Sequence, residues 1–298
     1  MWRLLQCSQG DYNVSCAAGV LYVVATPLGN LGDITYRAVE ILKTVDLVTA
    51  EDTRHSRKLL GHYGIQTPML SLHTHNEQEQ TTHLIALLSQ GKKIALISDA
   101  GTPLISDPGF VLVREVHKNG GRVVPIPGPS AVIAALSVAG LPTDRFAFEG
   151  FLPSKAVART TSLQALREEP RTLVFYEAPH RILDTLTDMA SVFGIQREAV
   201  LIRELTKTYE TICAKPLGEL RDWVAEHAEQ QLGEIVLLIQ GSTVAVSHTR
   251  CEIDVDSLLS QLLAHVSLKT AAQVTATLTG LGKNALYDRA LQLTQQDE

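Results

Sequence analysis

Aromatic side chains are scarce: Phe, Trp and Tyr make up 5% of the 298 residues. A sheet that works by stacking bases on rings needs more of them, so that mode of nucleic-acid binding is not expected. Cysteine is also sparse, with Cys7, Cys16, Cys213 and Cys251 scattered along the chain. None forms a C-x-x-C pair or lies near a His cluster, so neither a zinc ribbon nor a disulfide framework follows. Scattered thiols suit a cytoplasmic protein. No run reaches the ~18 uncharged apolar residues of a membrane-spanning helix. Residues 1–19 hold Arg3 and then Gln, Ser, Asp and Asn where a signal peptide needs an unbroken apolar stretch, and they read as a disordered leader.

Positive charge is short as well, with 26 Lys and Arg against 32 Asp and Glu and a formal net charge of −6. A protein that holds nucleic acid by general phosphate attraction is usually basic. Any RNA target would have to be met through shape and local contacts. The usual nucleotide signatures are missing too. Gly29 and Gly32 do not complete G-x-G-x-x-G, and Gly282-Lys283-Asn284 lacks the Ser or Thr of a P-loop. Ser130, in Gly128-Pro129-Ser130-Ala131-Val132, lacks the second glycine of a nucleophile elbow, which disfavours a hydrolase. His73 and His75 have no third ligand nearby, so no metal is expected.

What is present is a regular alternation of strand, loop and helix. Val20–Ala25, Val45–Ala50, Lys93–Ser98 and Arg122–Ile126 are apolar, β-branched runs that read as buried strands. Helical patterns follow at Asp33–Leu42, Thr53–His62, up to Asn119, and in an Ala-rich stretch to Ala139. This rhythm predicts a parallel α/β sheet covered on both faces, over residues 20–141. After Leu141-Pro142-Thr143 the rhythm changes. Strands at Phe146–Phe151, Thr172–Tyr176, Ala199–Arg203, Thr208–Ala214 and Glu234–Gln240, with helices near 155–168, 179–193 and 216–228, predict a second α/β domain with a mixed sheet over 142–245. Residues 250–298 carry no strand pattern. They read as three short amphipathic helices, a small tail domain.

Four Gly- and Pro-rich loops, at 26–30, 99–109, 127–131 and 177–181, adjoin strand ends or helix starts. In parallel sheets ligands bind beyond the carboxyl ends of the strands, so these loops are the first place to seek a site. Polar side chains also concentrate at strand ends: Glu51-Asp52-Thr53-Arg54, Asp99 to Thr102, Glu177 to Arg181, and Arg203-Glu204-Leu205-Thr206-Lys207. Such clusters suit a site that binds a polar substrate and moves a proton, or they are solvated ion pairs.

Taken in order, Val24 to Leu31, Ala50-Glu51-Asp52-Thr53-Arg54, Ser98-Asp99-Ala100-Gly101-Thr102-Pro103, Pro127-Gly128-Pro129-Ser130-Ala131 and Arg203 to Lys207 resemble one family. The chain is similar to the tetrapyrrole-methylase superfamily, class III of the S-adenosylmethionine methyltransferases. Within it, the chain resembles the branch that acts on small-subunit ribosomal RNA. The resemblance runs from about residue 20 to 294, through the tail string Lys283-Asn284-Ala285-Leu286-Tyr287. Corrin and porphyrin methylases of the superfamily generally carry a Gly-Asp-Pro loop where this chain has Ser98 to Pro103.

The resemblance implies two α/β domains with S-adenosylmethionine between them, a homodimer, and a small C-terminal helical appendage. It implies methylation of the ribose 2′-hydroxyl of a decoding-centre cytidine (cytidine 1402) of 16S rRNA, in the 30S subunit. Carried onto this chain, Thr26, Pro27, Leu28, Gly29, Asp99, Ala100, Gly101, Thr102, Ser130 and Ala131 would line the cofactor, with Tyr176, Glu234 and Val236 on the second-domain side. Glu51, Asp52, His180 and Glu204 are candidate bases. Arg54, Arg181, Arg203 and Lys207 are candidate anchors of ribose or phosphate, and Glu51-Asp52 with Arg54 is nominated as the catalytic edge. Arg57, Lys58 and Lys283 join Arg203 and Lys207 as candidate RNA contacts. Two other readings stand beside this one: a tetrapyrrole or corrin methylase, and a non-catalytic ribosome-binding module.

Overall fold

The computed structural model describes residues 19–242 and 254–296. They form two compact units, the first ending at Ser242 and the second built from the C-terminal residues. The expected leader lies outside the described residues except for Gly19, as do Cys7, Cys16 and Cys251.

The first unit contains two five-stranded sheets. In the first sheet β1 (Val20–Val24), β2 (Leu47–Ala50), β3 (Met69–Ser71), β4 (Lys93–Ile97) and β5 (Arg122–Ile126) run in the order β3-β2-β4-β1-β5. Every pairing in it is parallel. Successive residues of a strand face opposite sides, and β4 is apolar on both. Ala95 and Ile97 pack with α1 (Tyr36–Thr44) and α2 (Thr53–His62), while Ile94 and Leu96 pack with α3 (Glu77–Ser89) and α4 (Phe110–Lys118). Side-chain caps start two of these helices. Thr35 accepts the Ala38 N–H, and Asp52 accepts those of Arg54 and His55.

The sequence pattern predicts no element between His62 and Lys93, yet β3 and α3 lie there. Met69-Leu70-Ser71 is too short to display alternation. The first six residues of α3 are all polar, so its apolar stripe becomes visible only at Leu84 and Leu88, both buried.

The second sheet is mixed: β6 (Phe146–Phe151), β7 (Thr172–Glu177), β8 (Glu198–Arg203), β9 (Thr211–Pro216) and β10 (Ile235–Ile239) run in the order β6-β7-β10-β8-β9. Only β6 and β7 pair in parallel. One face, with Val174, Val200, Val236 and Leu238, is covered by α5 (Ala131–Ala139) through Val132, Ala135, Leu136 and Ala139. The other, with Phe175, Leu201 and Leu237, is covered by α6 (Ala156–Ala165), α7 (Ile182–Phe193) and α8 (Leu217–Glu226). Because α5 follows the last strand of the first sheet but packs on the second, it sets the first sheet's loops against the second sheet's edge.

The second unit consists of α9 (Val255–Leu263), α10 (Leu268–Thr279) and α11 (Lys283–Gln296). Leu259, Ala271, Ala272, Leu286 and Ala290 form its core, and an Arg289–Asp256 ion pair at 2.6 Å joins α11 to the start of α9. Among the described residues no helix is long and apolar enough to cross a membrane.

Candidate active site

The loops after β1 and β4 are joined by a two-bond bridge. The Thr26 N–H donates to the Gly101 carbonyl at 2.8 Å, and the Gly101 N–H donates to the Thr26 carbonyl at 3.0 Å. Thr26 is fully buried, and its hydroxyl donates to the Ser98 carbonyl at 3.1 Å. The Thr102 hydroxyl donates to the Pro129 carbonyl at 2.9 Å, which draws in the loop after β5. From β1 the chain crosses to β2 on one side of the sheet, and from β4 it crosses to β5 on the other. The bridge therefore sits where the strand order reverses, the place where parallel α/β sheets open a crevice.

A cleft of about 390 Å³ opens over this bridge, within the range of small-molecule sites. Leu28, Ala100, Gly101, Thr102, Ser130 and Ala131 line it from the first sheet's loops, and Tyr176, Glu234 and Val236 line it from the second sheet. The structure thus brings together nine of the thirteen residues nominated for the cofactor. Thr26, Pro27, Gly29 and Asp99 are not on its wall. Thr26 is spent in the bridge. Gly29 lies under the Lys207 side chain, whose Cγ would stand 2.3 Å from a Cβ at that position.

Residues 20–221 match the family model of the Tetrapyrrole (Corrin/Porphyrin) Methylases. The chain belongs to the tetrapyrrole methylases. A second model, the RsmI C-terminal HTH domain, matches residues 251–294 of this methylase. Among curated relatives it is 56% identical to the Ribosomal RNA small subunit methyltransferase I of Pseudomonas aeruginosa, over 93% of this chain and 98% of that one. It is 52% identical to the protein of the same name from Escherichia coli O157:H7, over 92% and 95% of the two chains. In fold the methylase is similar to a cobalamin biosynthetic enzyme, cobalt precorrin-4 methyltransferase, with a TM-score of 0.57 at 15% identity; the match covers 75% of this chain and 95% of that one.

Of the nominated bases and anchors, most are engaged elsewhere. Asp52 caps α2 and pairs with the exposed Arg54 at 3.1 Å; the Arg54 guanidinium and backbone N–H hold its carboxyl down to about 2. Glu204 accepts from Lys207 Nζ at 2.9 Å and from the Glu234 N–H at 2.9 Å, and Lys207 also reaches Glu234 at 3.1 Å. Lys207 therefore clasps the start of β10 and lies across Gly29. Arg203 is buried, donating to Gln230, to the Tyr209 carbonyl and to Thr211. Arg181 pairs with the buried Glu177 at 3.3 Å and donates to the Leu152 carbonyl at 2.6 Å. His180 is exposed outside the cleft wall. Arg57 and Lys58 are exposed on α2, and Lys283 is exposed at the start of α11 in the other unit.

Ile105, Ser106 and Asp107 also line the cleft; they fall within the candidate loop 99–109 but are not among the individual residues nominated for the site. They lie on the long loop after β4, of which only the first residues were nominated. The turn signal Asp107-Pro108-Gly109 at its far end is the hint that could have pointed there. Among the described residues, four other than glycine have positive φ, and all flank this cleft: Leu104 at 72°, Ser106 at 66°, Glu204 at 53° and Thr206 at 67°. Conformations of this kind cost about 1–3 kcal/mol each and persist only where surrounding contacts impose them.

Acidic groups at and beside the cleft act on one another. Burial, reinforced by the charges of Glu51 and Asp99, pushes the Asp107 carboxyl up to about 6, with a Ser98 contact acting the other way. Burial and the charge of Asp99 likewise raise Glu51. Tyr176 is pushed up to about 12 by burial and by the charge of Asp107, so its hydroxyl stays protonated at neutral pH. Around Tyr176 stand Phe148 and Phe151, with ring centroids 4.8 and 5.6 Å away. Leu28, Ile105, Ala131, Phe151 and Val236 make much of the wall apolar.

Proposed function

We propose that this methylase transfers a methyl group from S-adenosylmethionine to the ribose 2′-hydroxyl of the decoding-centre cytidine of 16S rRNA, with the 30S subunit as its substrate. The observation that carries the reading is the cleft at the strand-order reversal, walled by Gly101 and Ala131 on one sheet and by Tyr176 and Val236 on the other. Its residues fit the donor. Gly101, at φ +80°, offers backbone with no side chain in the way. Leu28, Ala131 and Val236 supply apolar wall for the donor's carbon framework. The names of the curated relatives support ribosomal RNA as the acceptor.

S-adenosylmethionine, when bound, supplies a methyl group already activated on a positively charged sulfur. The work left to the protein is to align the acceptor oxygen behind the methyl carbon, keep water out and accept a proton. Alignment is the larger contribution: near-attack positioning is worth ~7–11 kcal/mol, against ~10²–10⁴-fold for a general base. Leu28, Ala131, Val236 and the Tyr176–Phe151 pair do the excluding. Arg54, Arg57 and Lys58 on α2 meet RNA phosphates, and Lys283 adds a contact from the C-terminal unit.

The reading includes a cytoplasmic homodimer. Ile133 and Val138 on α5 are exposed, and so is Ile212, which pairs in register with Ile202 on the sheet face that α5 covers. Together they form an apolar surface available to a second copy.

Incubation of the full chain with labelled S-adenosylmethionine and either 30S subunits or uroporphyrinogen tests the acceptor. Label is expected in the subunits alone. Transfer to the tetrapyrrole with none to the subunits overturns the reading in favour of a small-molecule methylase.

A further inference from the structure

Most carboxylates around the cleft already have partners. Glu177 accepts from the Thr185 hydroxyl and the Ala178 N–H and faces Arg181. Glu204 and Glu234 share Lys207, and Asp52 holds α2 and Arg54. Asp107 is different. It lines the cleft, and no cation is among the groups that act on its charge. The groups that do face it are Glu51 at the end of β2, Asp99 and Ser98 after β4, and the Tyr176 hydroxyl on β7.

Its placement is built rather than incidental. The residue before it, Ser106, and Leu104 two places earlier both adopt left-handed backbone. Beyond it, the Gly109 and Val111 N–H groups donate to one oxygen of Glu77 at 2.9 and 3.0 Å, which fastens the end of the loop and the start of α4 to the start of α3. A carboxylate held by such a loop, among like charges and without a counter-ion, is arranged to take up a proton and give it back.

We propose that Asp107 is the catalytic base of the methyl transfer, its carboxylate accepting the proton of the acceptor hydroxyl. The inference rests on the cleft's being the methyl-transfer site. As the acceptor oxygen forms its bond to the methyl carbon, the carbon–sulfur pair of electrons stays on sulfur and the hydroxyl proton passes to an Asp107 oxygen. The products are the methyl ether, the neutral thioether and a protonated Asp107, which returns its proton to water. A carboxylate whose pKa stands near 6 is ionised at pH 7, yet is a stronger base than an ordinary aspartate.

The test uses the full chain, 30S subunits and S-adenosylmethionine, with Asp107→Asn and Glu51→Gln variants. In the wild type kcat/KM is expected to fall on the acid side with an apparent pKa near 6. Asp107→Asn is expected to bind the donor within about three-fold of wild type while single-turnover transfer drops ~10²–10⁴-fold, and the acid limb disappears from what remains. Glu51→Gln removes a neighbouring negative charge and moves the limb to lower pH. Folding is controlled by melting. The pKa of Asp107 is raised in the fold, so its ionised form is disfavoured there at pH 8, and the Asn variant melts no lower than wild type at that pH.

Three results overturn the inference alone, with the wild type active on subunits. These are wild-type transfer by Asp107→Asn, a slow variant that keeps the limb at the same pH, or a loss of donor affinity above ten-fold, which makes Asp107 a donor-binding group. A wild type that binds no donor overturns the reading of the cleft itself.

Discussion

Gly101→Val yields a folded protein whose affinity for S-adenosylmethionine is at least ~100-fold weaker, a loss of about 2.7 kcal/mol of binding free energy. Two features of the position set the size of the effect. The backbone stands at φ +80°, where a residue with a Cβ is strained, and that Cβ would lie 3.1 Å from Leu28 Cδ2 on the cleft wall. A branched side chain adds bulk where Gly101 and Leu28 face the second sheet across the cleft. The strain costs about 1–2 kcal/mol of stability, small enough for the variant to remain folded. Gly101→Ala is expected between the two, because it carries the strain with little of the bulk. Titration calorimetry reads the affinity and thermal melting reads the fold. A Gly101→Val chain that binds the donor as the wild type does removes this cleft from consideration as the donor site.

Arg181→Ala is expected to cost about 3–5 kcal/mol of folding free energy, the usual scale for leaving one partner of a buried ion pair behind. The Glu177 side chain is fully inaccessible at the end of β7, and Arg181 reaches it at 3.3 Å. The Thr185 hydroxyl at 2.6 Å and the Ala178 N–H at 2.7 Å satisfy part of the carboxylate but carry no charge. Arg181 also holds the Leu152 carbonyl at 2.6 Å, so its loss frees the segment after β6 as well. Arg181→Lys restores charge without the planar fork and recovers only part of the loss. Adding Glu177→Gln to Arg181→Ala removes the stranded charge and is expected to regain stability relative to the single variant. Urea denaturation measures all three. A cost below about 1 kcal/mol for Arg181→Ala shows that water reaches the carboxylate and that the pair is a surface contact.

These two residues illustrate what local sequence pattern carries. Gly101 was legible because a parallel sheet needs Gly-rich loops at its carboxyl edge, and the β-branched runs from Val20 and Lys93 identify that edge. Arg181 was legible as a cation at a strand end. Its role was not, since a cation free to hold RNA and one paired to a buried acid look alike along the chain. The same holds for Arg203, taken up by Gln230 and Thr211, and for Lys207, laid across Gly29. Some partners are near in sequence, Glu177 for Arg181 and Glu204 for Lys207, but Gln230, Glu234 and Gly29 are distant and meet these cations only in the folded chain.

Asp107 itself was missed for another reason, although its loop, 99–109, was singled out. Its shape depends on left-handed φ at Leu104 and Ser106, residue types that do not advertise it. Its position in the cleft depends on α5 crossing to the second sheet, and no periodicity records which sheet a helix chooses. The helical pattern of Ala131–Ala139 was plain; its destination was a tertiary fact.

The proposed reaction is methylation of one ribose of 16S rRNA by a donor held in this cleft. Its most direct test is to incubate the full chain with labelled S-adenosylmethionine and 30S subunits lacking the modification, then locate the label by nuclease digestion and mass spectrometry. A single labelled nucleotide is expected, a decoding-centre cytidine with the methyl group on its 2′-oxygen, with strongly reduced label in Gly101→Val at donor concentrations near the wild-type Kd. Label on a base, on a nucleotide outside the decoding centre, or undiminished in Gly101→Val would contradict it.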